Sequence, residues 1–435
     1  MKLPARALAA ALLLAWLLPP AWGLAAEADQ TLSLDQVVQF ALEHNPGLVS
    51  AQEDAAVAEA QVTQTASTYW PQLSAQGGYQ RLWYENPRMA LSQANTQGQY
   101  NNYSSGLSVS QYLYDFGQTA GKVEQSRQNL AATRETVVQS RNDLVRSVKN
   151  AYYEVIKQAD LVQVYESALK VQQEHLAQAQ AFRKVGVKAK LDVTNSEVAL
   201  ANTQLQLIQT RFALDTARLN LETVLGGPPS RGPYHLAKVP ESVETLPDQE
   251  SLVQEALRQR PEMAALKAQL LGSQAQLQSA QGGYWPSLNA NATWGYESSD
   301  LPLQEGWTAG ASLNWPLFNG LRTQGAVSEA KAGLRKVQAQ LRVIELSLRQ
   351  EVATTWLRVR QASEATQTAR VALRQAKENL DLADNRWRVG AGSPLEYSDA
   401  QNLHTQAQGN LVQAIYLKLQ ALADLERALG RGRQG

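Results

Sequence analysis

The sequence predicts a mainly α-helical protein with a small β part. It is built as two structural repeats, each joining a strand hairpin to a long coiled-coil helical hairpin. Three observations carry this expectation: an internal repeat across the 435 residues, paired segments that alternate with period two, and heptad series longer than any compact core requires. Tyr69-Trp70-Pro71-Gln72-Leu73 recurs as Tyr284-Trp285-Pro286-Ser287-Leu288, a shift of 215 that also carries Val38, Ala41, Leu42 and Pro46 onto Val253, Ala256, Leu257 and Pro261. Further along the shift is 204, taking Val185-Gly186 to Val389-Gly390, Leu191-Asp192 to Leu395-Glu396 and Leu225-Gly226 to Leu429-Gly430. The second copy is therefore 11 residues shorter in a loop rich in Gly, Asn, Ser and Pro.

Residues 1–25 read as a secretory signal. Lys2 and Arg6 precede the apolar run 7–18, Pro19 and Pro20 end it, and Gly23, Ala25 and Ala26 supply a small-residue cleavage site near Ala25 or Ala26. A short membrane anchor is the alternative, but the run falls below the roughly 20 residues that a spanning helix needs. Repeat 1 occupies 26–225, a linker 226–250, repeat 2 251–430 and a tail 431–435.

Each repeat opens with helix. Asn45 is placed to cap and Pro46 to start the next helix, and Trp70-Pro71 and Trp285-Pro286 end it, because the residue before Pro is driven out of the helical region. Strands follow at about 72–84 and 103–114, and at about 287–297 and 306–316. The second pair alternates cleanly: Leu288, Ala290, Ala292, Trp294 and Tyr296 interleave with Asn289, Asn291, Thr293 and Gly295.

The period then changes to seven. Val123, Leu130, Val137 and Leu144 step by four to Val148, Val155, Val162, Leu169 and Leu176; Val327, Leu334, Leu341 and Leu348 step by four to Val352 and Val359, followed by Thr366, Leu373, Leu380 and Trp387. A four-residue stutter in both copies locally unwinds a coiled coil at equivalent levels. Hairpins of about 118–225 and 321–429 result, with tips at 185–190 and 389–394. Leu191, Val198, Leu205, Phe212 and Leu219 continue the spacing and are expected to line the seam of the first return helix.

Composition narrows function. Lys plus Arg equals Asp plus Glu at 40 each, which lacks the basic excess of a nucleic-acid binder, and the absence of Cys removes disulfides, thiolate sites and lipidation of an N-terminal Cys. His44, His175, His235 and His404 show no metal spacing, and the glycines of 430–435 have no following helix to form a dinucleotide site. No catalytic residue, metal or cofactor is expected. Small and apolar residues on one strand face and Asn, Ser, Thr and Gly on the other, with Trp or Tyr near strand ends, fit either a membrane barrel or a half-buried sheet. Four strands cannot close a membrane barrel, and open edges are not tolerated in lipid, so a spanning barrel must be shared between chains.

The paired Tyr-Trp-Pro segments, the junctions Leu113-Tyr114-Asp115-Phe116-Gly117 and Pro316-Leu317-Phe318-Asn319-Gly320, and the tips Val185-Gly186-Val187 and Val389-Gly390-Ala391 together resemble the TolC family of outer-membrane efflux ducts across essentially the whole mature chain. The resemblance implies a TolC-like homotrimer with a shared 12-stranded barrel in outer-membrane lipid and a 12-helix periplasmic tunnel. It implies a periplasmic adaptor docking at the tips Val185, Gly186, Val187, Val389, Gly390 and Ala391, and an inner-membrane transporter that supplies the energy. It places Glu396 and Asp399 in an acidic ring at the periplasmic entrance. Where some relatives have a latching Arg this chain has Gly392, and Lys188, Lys190 or Asp192 of the first tip are the candidate gate partners. The competing function is a periplasmic or cell-surface coiled-coil structural or adaptor protein, which accounts for the heptads but not for two amphipathic hairpins at equivalent positions.

Overall fold

The computed structural model describes residues 30–84, 98–186, 189–229, 232, 234–240, 246–298, 302–389 and 391–431; the expected signal segment lies outside them. Repeat-like symmetry is visible in the helix lengths. Helix α3 (Gln118–Lys184) and α7 (Arg322–Arg388) each have 67 residues, roughly 100 Å at 1.5 Å per residue. Their return helices α4 (Lys190–Leu225) and α8 (Pro394–Leu429) each have 36.

Shorter helices precede each strand pair. In α1 (Leu34–His44) Ser33 and Gln36 form a reciprocal capping box, and Asn45 Oδ1 accepts from Leu48 N at the start of α2 (Pro46–Ala66). The second copy has α5 (Gln249–Gln259), capped by Asp248, and α6 (Pro261–Gly282). A single 3-10 turn, Ser67–Tyr69, brings Trp70 to extended geometry before Pro71, as the Pro rule requires.

The main sheet is antiparallel in the order β2 (Gln72–Tyr84), β3 (Gly98–Tyr114), β5 (Ser287–Ser298), β6 (Gln304–Asn314), so the two repeats meet through β3 and β5. Each strand pair enters its long helix through two consecutive residues of positive φ, Phe116-Gly117 and Gly320-Leu321. A second sheet was not expected from the sequence. It pairs β1 (Gln30–Leu32) in parallel with β4 (Tyr234–Leu236), inside the stretch read as linker. Its anchor is Tyr152, fully buried, whose hydroxyl lies 3.1 Å from the Leu32 carbonyl oxygen and 2.7 Å from that of Ala237. Burial pushes this phenol up to about 12.

Helix α3 is the spine. Its strand-proximal half packs on α2 and α6, and its tip-proximal half on α4 and α8; α7 packs on α6, α5 and α8. Two cores sit where the short helices dock. One contains Val37, Val148, Tyr152, Leu221, Leu225 and Tyr416, the other Leu252, Val253, Val352, Val359, Leu425 and Leu429. Both stutters fall here, and in α7 the two sides of the step, Leu348 and Val352, are both buried.

Between the cores lies an ionic clasp. Arg260, 3 % exposed, donates to both oxygens of Glu262, to Glu351 and to the Arg427 carbonyl; Arg427 in turn donates to Asp143, Glu351 and Glu262. Four helices, α3, α6, α7 and α8, are tied by these five side chains.

One sequence expectation is corrected. Leu191, Val198, Leu205, Phe212 and Leu219 are all exposed, and α4 faces α3 instead through Val193, Ser196, Leu207, Thr210, Ala217, Leu221 and Leu225. Helix α4 thus carries two apolar stripes, and heptad spacing alone does not say which one is covered inside the chain.

Candidate functional site

The four strands present two chemically distinct faces. One carries the cross-strand rows Leu73–Val109–Ala292–Ala309 and Ala75–Leu107–Trp294–Trp307; the other carries Gln72–Ser110–Asn291–Gly310, Ser74–Ser108–Thr293–Thr308 and Gln76–Gly106–Gly295–Gly306. Hydroxyl pairs knit the polar face, with Ser74 Oγ to Ser108 Oγ and Thr293 Oγ1 to Thr308 Oγ1 both at 2.6 Å. At Gly295 a Cβ would lie 2.3 Å from the Ser105 carbonyl oxygen, so this row requires a residue without a side chain where β3 and β5 come together.

Exposed aromatic residues mark both ends of the apolar face. Trp70, Trp285, Trp315 and Phe318 lie at the helix end, and Trp83, Trp294 and Trp307 towards the other. From Trp307 to Trp315 is 8 residues and from Trp70 to Trp83 is 13, or ~27–44 Å of strand, which a ~45° tilt shortens to ~20–30 Å. That matches the ~25 Å apolar band of a membrane strand with aromatic girdles. Among the described residues no helix is long and apolar enough to cross a membrane.

Both lateral edges of the chain are unfinished. Strand β2 and helices α2 and α4 form one edge, and β6 and α7 the other. The internal repeat shows what each edge lacks. Shifting by 204 takes Phe212 and Leu219 of α4 onto Tyr416 and Ala423 of α8; Phe212 is 75 % exposed, whereas Tyr416 is 5 % exposed, covered by α3 and hydrogen-bonded to Asp160 at 2.8 Å. Burial first, then the Asp160 carboxylate, drives the Tyr416 phenol well above its ordinary value.

At the far end lie the two tips. Val185 and Val389 are exposed, as are Leu191 and Leu395, so each hairpin ends in an equivalent apolar pair. Gly186 has φ +76 and Ala391 is exposed, while Val187, Lys188 and Gly390 lie outside the described residues. Asp192 Oδ2 accepts from Ala189 N and caps its own helix; Lys190 is exposed at the same turn. On the second tip, Ser393 Oγ accepts from Glu396 N, and the Glu396 carboxylate meets Arg386 Nε at 3.3 Å across its own hairpin. Asp399 is exposed one turn on. Arg386, which sequence reasoning missed, thus offsets the charge of Glu396 at this tip. Gly392 is explained by space: a Cβ there would stand 3.0 Å from the Trp387 amide nitrogen and 3.1 Å from the Arg386 carbonyl carbon.

Above the second tip, His175 stacks on Tyr397 at 4.7 Å and lies 5.4 Å from Trp387, itself edge-on to Phe182. These rings tie α3 to α7 and α8 and brace one hairpin against the other. Burial, then Asp384, raises the Tyr397 phenol.

Comparison with known proteins agrees with this geometry. The sequence profile described as outer membrane efflux protein matches residues 37–227 and 252–431. The toluene efflux pump outer membrane protein TtgC of Pseudomonas putida is 27 % identical over 413 residues, covering 92 % of this chain and 83 % of its own. The pyoverdine export outer membrane protein OpmQ of Pseudomonas aeruginosa is 23 % identical over 411 residues, covering 92 % and 85 %. Among solved structures, the CmeC outer membrane channel of Campylobacter jejuni superposes with a TM-score of 0.82 at 17 % identity over 92 % of this chain and 86 % of that one, a likeness of fold.

Proposed function

Since this chain belongs to the outer membrane efflux protein family, we propose that three copies of it assemble into one duct: a shared 12-stranded barrel in outer-membrane lipid continued by a periplasmic tunnel of twelve long helices. The observation that carries the proposal is the pair of open edges. A four-stranded sheet with an apolar outer face and a polar inner face has no stable form in lipid until β6 meets the β2 of another copy. The same closure lays α7 against the neighbour's α2 and α4 and covers the stripe through Phe212. A free-standing structural coiled coil has no use for the amphipathic strands.

The duct conducts passively. On the barrel's inner face, the rows from Gln72 to Gly306 are hydroxyl, amide and glycine surface without charge, which leaves the choice of cargo to the partners that load it. Relatives named for toluene efflux and for pyoverdine export support a duct indifferent to cargo. An inner-membrane transporter and a periplasmic adaptor are the partners proposed. The adaptor engages the tips through Val185, Gly186, Val187, Val389, Gly390 and Ala391, of which Val185 and Val389 stand exposed and Gly186 takes a left-handed φ. Glu396 and Asp399 form the entrance ring, with Arg386 neutralising part of it and Lys188, Lys190 and Asp192 of the first tip as candidate gate partners.

Planar-bilayer recordings test the entrance. In the parent, trivalent cations should block from the periplasmic side, because three copies of these carboxylates focus a negative potential. Glu396→Gln with Asp399→Asn should lose the block and reduce cation preference. Unchanged block in the double variant would place the entrance elsewhere.

A further inference from the structure

Helix α3 comes closest to α6 at Gly121, where a Cβ would lie 2.6 Å from the Ala275 carbonyl oxygen and 2.7 Å from the Ser279 Cβ. About two turns along, the roles reverse. A Cβ built on Gly272 of α6 would stand 3.3 Å from the Gln128 Cβ and 3.9 Å from Asn129 Oδ1, so α6 supplies the hollow and α3 the side chains. The repeat carries Gly121 and Asn129 onto Gly325 and Gly333 of α7, and Ala275 and Gly272 onto Ala60 and Val57 of α2. Nothing lies within 4 Å of a Cβ at Gly325 or at Gly333, and Val57 is 56 % exposed.

We infer that α7 of one chain packs on α2 of the next in the same register as α3 packs on α6, with Gly325 against the Ala60 backbone and Val57 seated in the hollow over Gly333. The inference rests on the trimeric reading and adds to it a residue-level surface and its occupant, a second copy of this chain. Three features support it independently. A glycine recurs at the point of closest approach, although in an exposed helix interior it costs about 1 kcal/mol relative to Ala and nothing within its own chain requires it. Where the large and small partners exchange sides, they do so together, Asn129 over Gly272 becoming Val57 over Gly333. One turn further along each helix, Ala132 and Ala268 become Lys336 and Glu53, opposite charges at repeat-equivalent positions.

Because the chain has no Cys, the contact can be trapped without background. Val57→Cys with Gly333→Cys should form an oxidant-dependent, reducible bond between chains, and either Cys alone should not. Gly333→Asn should reduce trimer recovery, and adding Val57→Gly should restore it, since the double variant rebuilds the Asn129 and Gly272 arrangement on the outer surface. If the parent measures as three chains but the Cys pair does not link and Val57→Gly brings no rescue, this register is wrong and the trimer stands. Normal assembly of Gly333→Asn alone also overturns it. A monomeric parent overturns both readings.

Discussion

Arg260 illustrates how a single residue departs from its repeat partner. Its equivalent is Asn45, which caps α2 and donates to the Val224 carbonyl at 2.8 Å. Arg260 keeps the carbonyl contact, to Arg427, and adds the carboxylates of Glu262 and Glu351. Removing one member of a buried ion pair strands the others, so Arg260→Met should cost about 3–5 kcal/mol, read as a lower thermal midpoint in detergent. Asn45→Ala, which loses a neutral cap, should cost only about 1 kcal/mol. A gentler effect belongs to Glu255. Bonds from Arg431 at 2.8 and 3.0 Å hold its carboxylate below the ordinary 4.5, against the opposing effect of burial. A depressed carboxylate stabilises the fold fully above pH 4.5 and loses that contribution as pH falls through its folded value. The midpoint deficit of Glu255→Gln should therefore be constant above about pH 4.5 and shrink below it; a deficit that grows on acidification would contradict the pairing. Neither clasp was legible in the sequence, because apart from Arg260–Glu262 their contacts join residues 76 to 284 positions apart, which no local spacing encodes.

At the scale of elements, helix and strand boundaries were readable to a few residues wherever Pro, Gly or a change of period marks them, as at Trp70-Pro71 and Val185-Gly186. The parallel pairing of β1 with β4 was not readable, since three residues a side carry no period. Stripe assignment on α4 failed for a different reason. Val193, Leu207 and Leu221 are as well spaced as Val198, Leu205, Phe212 and Leu219, and only the partner decides which set is covered. That partner is what a charge should disrupt. Phe212→Glu should leave the α3–α4 hairpin helical by circular dichroism while shifting the detergent-purified protein from three chains towards one. Tyr416→Phe, which loses only the in-chain bond to Asp160, should keep the assembly of the parent. Equal assembly in both variants would remove α4 from the chain-to-chain surface. The candidate entrance was partly legible. The entrance role of Glu396 and Asp399 is what the family resemblance implies, whereas the pairing of Glu396 with Arg386 crosses the turn of the hairpin and no spacing in the sequence encodes it.

In the trimeric assembly proposed, the chain is a third of a cylinder: a sheet that cannot end in lipid, two long helical hairpins joined through α3 and α8, and a bare flank on either side. Zero net charge, strand rows of hydroxyl, amide and glycine on the polar face and a Gln- and Asn-rich helical exterior suit a passive wall. The proposed duct exists only if that cylinder is completed by identical copies. The most direct test is the native mass of the detergent-extracted protein after detergent is stripped in the gas phase. Closure of β6 onto the neighbouring β2 predicts a single species of three chains; a stable species of one chain, or of any number other than three, would contradict it.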